Sequence, residues 1–569
     1  MGGNGDVRSL DDPVAEPRLA RAGMPGRGKE RWRTAAPVLV VCLMTLPFLV
    51  FFLLGRESAA VIWQSAGATL TAMSGGFMNA SCASTTGAST KADTAGAPTK
   101  ADELLGGLLA SGFDRRSCLS RYEVSKYYKH FPYPPSSHLL QKLRAYEARH
   151  KKCAPGTPLY GKSIDQLRSG HSTEAMQCNY IVWLPYDGLG NRMLSMISGF
   201  LYALLSDRIF LVALPEDSSD LFCEPFPNTT WVLAPDFPVA IFGRGPHPDI
   251  SYTNLLKAKK IPDDPANATV QSVPTHVYLS IEYHRDFMDK IFFCSDGQLV
   301  LAKVNWLLLY SDLYFLPSLY AIPEFQDELR RLFPAKESVA HLLARYLFRP
   351  TNPVWGIWMF RFATVPVDDM YNQILACSRQ EHILPEIVDA NVTAAAATGG
   401  NLNNTTNGDG AASGSTAILV ASLYAEYYER MRSMYYEHAA KGGVRVGVFQ
   451  PTHEEQQATG KLAHNQKALA EIYLLAFSDA LLTSGISTFG YVSSSLAGVR
   501  PTILISAFGH RVQRTPCVRA ISMEPCNLAP PVRGTGLVEC PGNKTVDKEY
   551  LDRHVKFCED DHRGVKLYD

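Results

Sequence analysis

The longest uncharged apolar stretch of the chain covers residues 35–54. It has about the 20 residues that a helix needs to cross a bilayer core, and spanning helices tolerate prolines such as those found in it. Because a signal peptide would have a shorter apolar region nearer Met1, we expect a retained anchor. A signal peptide and a buried core helix are the alternatives. Basic residues precede the stretch, which predicts a cytosolic N-terminus and a luminal position for everything that follows.

The segments on either side of this stretch lack apolar periodicity. Residues 1–34 are rich in Gly, Arg and Pro and are interpreted as a cytosolic tail, and residues 55–103, rich in Ala, Ser, Thr and Gly, as a flexible luminal stem. Such compositions bury too little apolar surface to form a core. A second low-complexity stretch, at 391–415, is predicted to be an exposed insertion loop.

Strand-like and helix-like patterns alternate in the rest of the chain. The first run predicts strands at 178–186 and 208–214, separated by a tight turn at 187–190 and a helix at 191–205. The second run predicts strands at 417–423, 444–449, 480–483 and 501–506, with helices at 425–440 and 464–477. This alternation is typical of an α/β fold in which helices cover both faces of a parallel sheet. We expect two Rossmann-like lobes, 104–355 and 356–569, with ligands at the carboxyl ends of the strands.

Charge and cysteine usage narrow the class of protein. The 55 basic and 55 acidic side chains balance, so no nucleic-acid partner is expected. Ten of the 12 cysteines follow residue 103; an even number in a luminal domain predicts disulfides, whose connectivity stays open. The absence of C-x-x-C spacing argues against a cysteine zinc site. Glycosylation sequons all follow the predicted anchor, at Asn79, Asn228, Asn267, Asn391, Asn403, Asn404 and Asn543.

Two strand-to-helix turns are candidate anion sites. Gly188 and Gly190, with Asn191, would let the backbone approach a ligand at a helix N-terminus, and the guanidinium of Arg192 suits phosphate or carboxylate. The alternative is a plain turn with a surface arginine. At the second turn, Ser487 and Thr488 could equally cap a helix or help to seat a diphosphate.

Two further loops carry candidate polar groups. His453 and Glu454 could contact a nucleotide or sugar hydroxyl, or could simply lie on the surface near a helix start. Asp286 and Asp289 could orient an acceptor hydroxyl and take its proton; a solvated loop is the alternative. Because no Asp-x-Asp flanked by apolar residues occurs, no metal ion is expected.

Several strings taken together resemble plant xyloglucan-type fucosyltransferases. They occur in one order at 104–122, 188–192, 223–231, 345–352, 450–456, 487–491 and 523–526. The resemblance implies a two-lobed glycosyltransferase fold of the GT-B type, with the acceptor on the first lobe and the donor on the second. It also implies an inverting, metal-independent transfer of L-fucose from GDP-fucose to the 2-hydroxyl of galactose, with no cofactor besides this donor substrate.

The resemblance further implies roles and a location. It places the donor diphosphate at Ser487, Thr488, Phe489 and Gly490, assisted by Arg192, with His453 and Glu454 near the nucleotide and Asp286 or Asp289 near the acceptor. Xyloglucan or arabinogalactan side chains are the expected acceptors. A Golgi membrane protein with one span, cytosolic N-terminus and luminal catalytic domain is expected, either as a homo-oligomer or in a complex of Golgi glycosyltransferases.

One segment departs from the family pattern. Between Trp355 and Asp369 the family carries a longer stretch whose arginine binds the GDP diphosphate, and here about twenty residues are missing, the size of a βα segment. Trp358 stands where that arginine is expected, and Arg361 lies three residues further on. Two hypotheses follow: an active enzyme in which Arg361 has taken over, or a catalytically impaired member that binds glycans or scaffolds a partner. A third, a lectin or adhesion protein, would need many short alternating strands instead.

Overall fold

The computed structural model describes residues 104–241, 248–262, 264–284, 287–355, 367–388, 414–454, 456–505, 512–531, 540 and 552–569. These residues belong to one compact unit, 96–569. The predicted tail, anchor and stem lie outside the described residues, as does nearly all of the predicted loop at 391–415. In the described part of the chain, no helix is both long and apolar enough to cross a membrane.

The first half of the unit is built on a parallel sheet. Strands β1 (Tyr180–Leu184), β2 (Ile209–Val212), β3 (His276–Ile281) and β4 (Trp306–Ser311) are arranged in the order β2-β1-β4-β3. The register places Tyr180 opposite both Ile209 and Trp306. Every residue of β1 is buried, as expected for a parallel strand covered by helices on both faces. The predicted first strands and the parallel sheet are confirmed.

Within the described residues, the second half contains three smaller sheets. Strands β5 (Ser415–Leu419) and β6 (Arg445–Phe449) pair in parallel, and β7 (Leu482–Ser484), β8 (Thr502–Leu504) and β9 (Cys517–Arg519) form a second sheet. Because β9 returns beside β8 with no crossover helix in the described residues, it pairs antiparallel. The strands predicted here are confirmed, but the expectation of one parallel sheet is wrong. Strands β10 (Val555–Phe557) and β11 (Val565–Leu567) form a C-terminal antiparallel pair.

The helices of the described residues are, in chain order, α1 (Ser120–Glu123), α2 (Ser137–Cys153), α3 (Pro158–Ser169), α4 (Leu189–Leu205), α5 (Tyr252–Lys257), α6 (Ser295–Leu301), α7 (Leu316–Leu319), α8 (Pro323–Leu332), α9 (Val339–Leu347), α10 (Asn352–Trp355), α11 (Val367–Glu381), α12 (Glu426–Glu437), α13 (Leu462–Ala476) and α14 (Thr488–Ala497). Short 3-10 helices lie at Leu104–Gly107, Val124–Lys126, Glu216–Ser218, Pro265–Asn267, Lys290–Phe293, Lys336–Ser338 and Lys441–Gly443. The predicted helices correspond to α4, α12 and α13 and are confirmed.

Helix α4 lies in the main hydrophobic core of the described residues. It is apolar around most of its circumference and buried along nearly its whole length, as expected for a helix enclosed by other elements. A Cβ atom at Gly199 would lie 2.9 Å from Leu309 and Phe210 side-chain atoms, so glycine lets α4 approach the sheet closely. Helices α9, α13 and α14 pack around α4 in the same core. The main core therefore continues from the sheet into α13 and α14.

Five disulfides cross-link the unit. They join Cys118 to Cys223, Cys153 to Cys178, Cys294 to Cys540, Cys377 to Cys517 and Cys526 to Cys558. All ten cysteines after residue 103 are paired, which confirms the prediction of disulfides and supplies the connectivity that the sequence left open. Cross-links of this kind reduce the freedom of the unfolded chain and are typical of secreted and luminal domains.

Candidate functional site

The first candidate turn forms the start of α4. The backbone of Asp187 is left-handed, with φ of 60°, and Gly188 is the N-cap of α4 without a side-chain cap. Asn191 bonds back to the Asp187 carboxylate. The first amide groups of α4 are therefore not capped by a side chain and carry the positive end of the helix dipole.

The start of α14 lies directly against the start of α4. A Cβ atom at Gly190 would lie 2.6 Å from Thr488 Oγ1, 3.0 Å from the Thr488 carbonyl carbon and 3.1 Å from the Phe489 nitrogen. No side chain fits at this position, so glycine is required by close approach and not by backbone conformation. The two predicted turns thus form one site, in which two helix N-termini meet. Each contributes a partial positive charge, and an anion beside this contact would be stabilised by both.

Helix α14 has a well-defined start. Ser487 is its N-cap, and the Ser487 hydroxyl accepts a hydrogen bond from the Gly490 N–H at 3.1 Å. A Cβ atom at Gly490 would lie 2.8 Å from Thr483 Cβ and overlap the Thr483 hydroxyl. Phe489 packs against the main core. The capping interpretation of Ser487 is confirmed, and Thr488 is the first residue of the helix.

The other end of α14 is held by α9. Arg345 donates to the carbonyls of Leu496 at 2.8 Å and Ala497 at 3.2 Å, and its guanidinium stacks 3.8 Å from the centre of the Tyr128 ring. Burial lowers the pKa of Arg345 to about 10, so it is charged at neutral pH. A cation at a helix C-terminus stabilises the helix dipole. Arg345 therefore fixes the direction in which α14 presents its first amide groups.

Arg192 is engaged within the protein. Its guanidinium forms a fork with the Asp217 carboxylate, at 2.8 Å and 3.2 Å, and its Nε donates to the Asp187 carbonyl at 2.8 Å. Only 12% of the side chain is exposed. In this structure Arg192 stabilises the turn before α4, and its predicted contact with a diphosphate stays a prediction. The alternative that Arg192 is a surface residue is wrong, because most of its side chain is buried.

The loop after β6, which carries the candidate residues His453 and Glu454, lies against the turn at Gly188. A Cβ atom at Gly188 would lie 3.4 Å from Gln457 Nε2 and 3.9 Å from Thr459 Cγ2, so the loop after β6 contacts the start of α4. Within this loop, His453 is exposed, and Glu454 accepts from His464 Nδ1 of α13 at 2.7 Å and pairs with Lys467. Glu454 thus anchors the loop to α13. Three segments predicted separately from the sequence meet at one place.

The predicted acceptor residues have a different outcome. Asp289 is fully buried, and its two carboxylate oxygens accept backbone N–H groups of Thr253 at 2.8 Å and Ser280 at 2.7 Å. This carboxylate joins β3 to the start of α5 and is not available to an acceptor. The predicted acceptor contact of Asp289 is therefore wrong, and so is the alternative that Asp289 lies on a solvated loop. Asp286 lies outside the described residues, and so does Arg361.

An acidic cluster at the carboxyl edge of the sheet was missed by the sequence analysis. Glu282 follows β3 and Asp312 follows β4; the Asp312 carboxylate accepts from the Tyr283 N–H at 3.0 Å, and Glu282 accepts from the Ser280 hydroxyl at 2.6 Å. Burial raises the pKa of Asp312 to about 6, with a further contribution from Asp187 at the start of α4. Burial also raises the pKa of Glu282. A carboxylate poised near neutral pH can exchange a proton with a bound hydroxyl.

The signal for these residues was present in the sequence. Each acid directly follows a mainly apolar strand, and the carboxyl ends of parallel strands meet at one edge of a sheet. Tyr186 and Tyr310 complete this edge, with ring centres 4.7 Å apart. The arrangement offers flat apolar surface beside hydrogen-bonding groups, which suits a sugar ring.

Two of the predicted glycosylation sequons and one group of possible metal ligands lie within the described residues. Asn228 and Asn267 are exposed, and the remaining sequons lie outside the described residues. Within the described residues, one group of side chains lies close enough to share a metal ion, namely Cys526, Cys558 and Asp560. Because the two cysteines form a disulfide, they provide no thiolate ligands.

Comparison with protein families gives a match over most of the unit. The family described as "Xyloglucan fucosyltransferase" matches residues 78–359 and, as a second stretch, residues 356–535. The two stretches meet within the segment between Trp355 and Asp369 that departs from the expected pattern.

Individual relatives agree with this family match. A galactoside 2-alpha-L-fucosyltransferase of Pisum sativum is 42% identical over 490 residues, which covers 82% of each chain. A protein of the same description from Arabidopsis thaliana is 42% identical over 488 residues, covering 82% of this chain and 83% of the relative. Among solved structures, a mutant of Arabidopsis thaliana FUT1 in complex with GDP is 41% identical, with a TM-score of 0.70, and the match covers 82% of this chain and all of that chain.

Proposed function

The chain belongs to the xyloglucan fucosyltransferase family, and on this basis we propose that it transfers L-fucose from GDP-fucose to the 2-hydroxyl of a galactose residue. The observation that carries the proposal is the contact between Gly190 of α4 and Thr488 of α14. It brings two helix N-termini together. The GDP complex of the 41% identical relative agrees with a nucleotide donor.

The donor diphosphate would lie at the meeting of α4 and α14. As the bond between fucose and GDP breaks, negative charge grows on the departing diphosphate. The start of α4, which has no side-chain cap at Gly188, and the first turn of α14, which Ser487 caps, provide positive potential without rearrangement. This supports a metal-independent reaction, since the protein itself supplies the charge stabilisation that a divalent cation gives elsewhere.

The acceptor would lie at the acidic edge of the sheet. In an inverting transfer, the galactose hydroxyl attacks the anomeric carbon from the face opposite the diphosphate and loses its proton in the same step. Asp312, with a pKa of about 6, is the described carboxylate best suited to take that proton, with Glu282 beside it. The charge of Asp187, just before α4, also raises the pKa of Asp312. Asp286, predicted from the sequence, is retained as a second candidate.

A Golgi location and a cell-wall acceptor are part of the proposal. The apolar run at 35–54 with its basic flank supports a single-span anchor, and five disulfides support a luminal domain. Galactose on xyloglucan or arabinogalactan side chains is the proposed acceptor. A homo-oligomer or a complex with other Golgi glycosyltransferases is the proposed assembly.

A second candidate function is favoured by one observation. The family match breaks at 356–359, where the donor-binding arginine of the family is expected. A member without that arginine would lose a few kcal/mol of transition-state stabilisation, and would then act as a glycan-binding or scaffolding partner. The enzyme proposal requires Arg361 or the two helix starts to compensate.

A transfer assay separates the two functions. The full-length chain, purified in detergent, is incubated with GDP-fucose and a galactosylated xyloglucan oligosaccharide, and the product is analysed for an α-1,2-linked fucose. The enzyme proposal predicts a linked product that forms in the presence of EDTA. Binding of the oligosaccharide without transfer would favour the scaffolding function, and loss of transfer in Arg361→Ala but not in Arg379→Ala would assign the compensating arginine.

A further inference from the structure

The turn between β10 and β11 is cross-linked to the preceding part of the chain by a disulfide. Cys558 at its start is bonded to Cys526, and Gly564 at its end packs so closely on this disulfide that a Cβ atom would lie 3.2 Å from Cys558 Sγ and overlap Cys526 Sγ. Inside the turn, the Arg563 N–H donates to the Asp561 carboxylate at 2.8 Å. The disulfide and these bonds fix the position of the residue between them, Asp560.

Asp560 reaches from this turn to the residues before α14. Its Oδ2 accepts hydrogen bonds from the Ile486 N–H at 2.8 Å and from the Tyr491 hydroxyl at 2.6 Å. Its Cβ lies 3.2 Å from the position that a Cβ atom of Gly485 would take. One carboxylate oxygen therefore joins the residue before the N-cap of α14 to the first turn of the helix itself.

Ile486 has a backbone conformation that needs such support. Its φ is 58°, in the left-handed region, which β-branched residues rarely adopt. Its side chain gains little from packing, since the residue is 49% exposed. Backbone strain of this kind persists where the surroundings hold it and is concentrated at ligand sites. The bond from the Ile486 N–H to Asp560 is the described contact that holds it.

We propose that Asp560 is a positioning residue for the donor site: it holds Ile486 in its left-handed conformation, so that Ser487 caps α14 and the first amide groups of α14 face the start of α4. This inference rests on the proposed function, because it assigns the diphosphate of GDP to those amide groups. Asp560 acts through α14 and does not touch the reacting atoms. The Cys526–Cys558 disulfide acts in turn by fixing Asp560.

The hydrogen bonds of Asp560 can be separated experimentally from its negative charge. Both bonds are made by Oδ2, and Oδ1 has no hydrogen-bond partner among the described residues. An asparagine can therefore place its amide oxygen at the Oδ2 position and keep both bonds while it loses the charge. Because a negative charge beside a diphosphate is unfavourable, removing the charge alone should not weaken donor binding.

The test compares Asp560→Ala, Asp560→Asn and Tyr491→Phe with a control, Asp552→Ala, an exposed acid of the same C-terminal segment. In the full-length chain, the Kd for GDP and the KM for GDP-fucose are measured together with kcat and the KM for the acceptor. We expect Asp560→Ala to raise the Kd and KM of the donor about tenfold or more, with the acceptor KM unchanged. Asp560→Asn and the control should stay within about twofold of the wild type, with Tyr491→Phe between the two.

The outcomes are distinguishable. Equal GDP affinity in the wild type and Asp560→Ala would overturn this inference and leave the proposed function standing, as would an acceptor KM that rises with the donor KM. Loss of kcat in Asp560→Asn as large as in Asp560→Ala would also overturn it, since a chemical role for the charge would then be indicated. If the wild type binds no GDP, the proposed function fails and this inference fails with it. If Asp560→Ala does not fold, the Asp560→Asn and Tyr491→Phe results decide.

Discussion

Gly190 and Thr488 are so close that a single methyl group between them would lie 2.6 Å from the threonine hydroxyl. These residues begin two helices that are almost 300 positions apart in sequence. Because each residue lies in the first turn of its helix, their contact combines the two helix N-termini into one region of positive potential. The donor half of the proposed reaction depends on this contact.

Gly190→Ala is expected to separate the two helix starts. Overpacking of this kind costs about 1–3 kcal/mol, so the melting temperature should fall by several degrees, and GDP affinity should fall at least tenfold. Gly161→Ala is the matched control, because nothing lies within 4 Å of a Cβ atom at Gly161 in α3. The control should leave affinity unchanged and should not lower stability. GDP binding by Gly190→Ala equal to that of the control would contradict the proposed diphosphate position.

Asp312 is expected to set the acid limb of the pH–rate profile. Because burial raises the pKa of Asp312 to about 6, kcat/KM should rise with pH through about 6 and then level off as the base becomes ionised. Asp312→Asn should lower kcat by about 10²–10⁴-fold and abolish that limb. Asp165→Asn, an exposed acid on α3, should change neither. An unaltered profile in Asp312→Asn would transfer the role to Glu282 or Asp286.

Glu524 is expected to make stability depend on pH. It accepts from the Ala340 N–H at 2.7 Å and the Tyr314 hydroxyl at 2.5 Å, and burial raises its pKa from 4.5 to about 8. The folded state therefore holds a proton that the unfolded state loses, so this contribution to stability is full below pH 4.5 and is lost as the pH rises to about 8.

The variant that tests this is Glu524→Gln, whose amide can accept from Ala340 and donate to Tyr314. Between pH 5 and 8, its melting temperature should fall less than that of the wild type, by an amount equivalent to at most a few kcal/mol. Glu429→Gln, on the exposed face of α12, is the control. Parallel curves for Glu524→Gln and the wild type would show that the buried carboxyl does not titrate in this range.

Arg345 is expected to be irreplaceable by lysine. Its guanidinium bonds two carbonyls at the end of α14 and stacks on Tyr128, and a lysine cannot reproduce this flat fork. Arg345→Lys should lower the stability by about 2–4 kcal/mol, measured by thermal unfolding. Arg330→Lys on α8, where the side chain is 63% exposed, should have little effect. A loss no larger than that of Arg330→Lys would show that α14 is oriented by other contacts.

The sequence predicted the elements of the fold well, because apolar periodicity is a local property. Helix α4, the strand before it and the cap at Ser487 all follow from neighbouring residues. The even number of cysteines after residue 103 also predicted complete pairing. The antiparallel β9 was missed because strand direction depends on the path of the chain after β8, which no local pattern encodes.

The candidate site was predicted less well, because its geometry is set by long-range contacts. Three predicted segments do meet, around Gly188, Glu454 and Ser487. Asp289, in contrast, looks like a loop acid in the sequence and is buried under two backbone N–H groups. The position of Asp312 depends on the order of the strands in the sheet. The position of Asp560 beside α14 depends on the disulfide between Cys526 and Cys558.

Direct measurement of GDP binding to the full-length wild-type chain tests the central claim. Calorimetric titration in EDTA is combined with amide hydrogen exchange at residues 188–192 and 487–491. We predict saturable binding without a metal ion and slower exchange at the starts of both α4 and α14. Absence of binding, binding only with added Mg²⁺ or Mn²⁺, or protection at one helix start alone would contradict the proposed donor site.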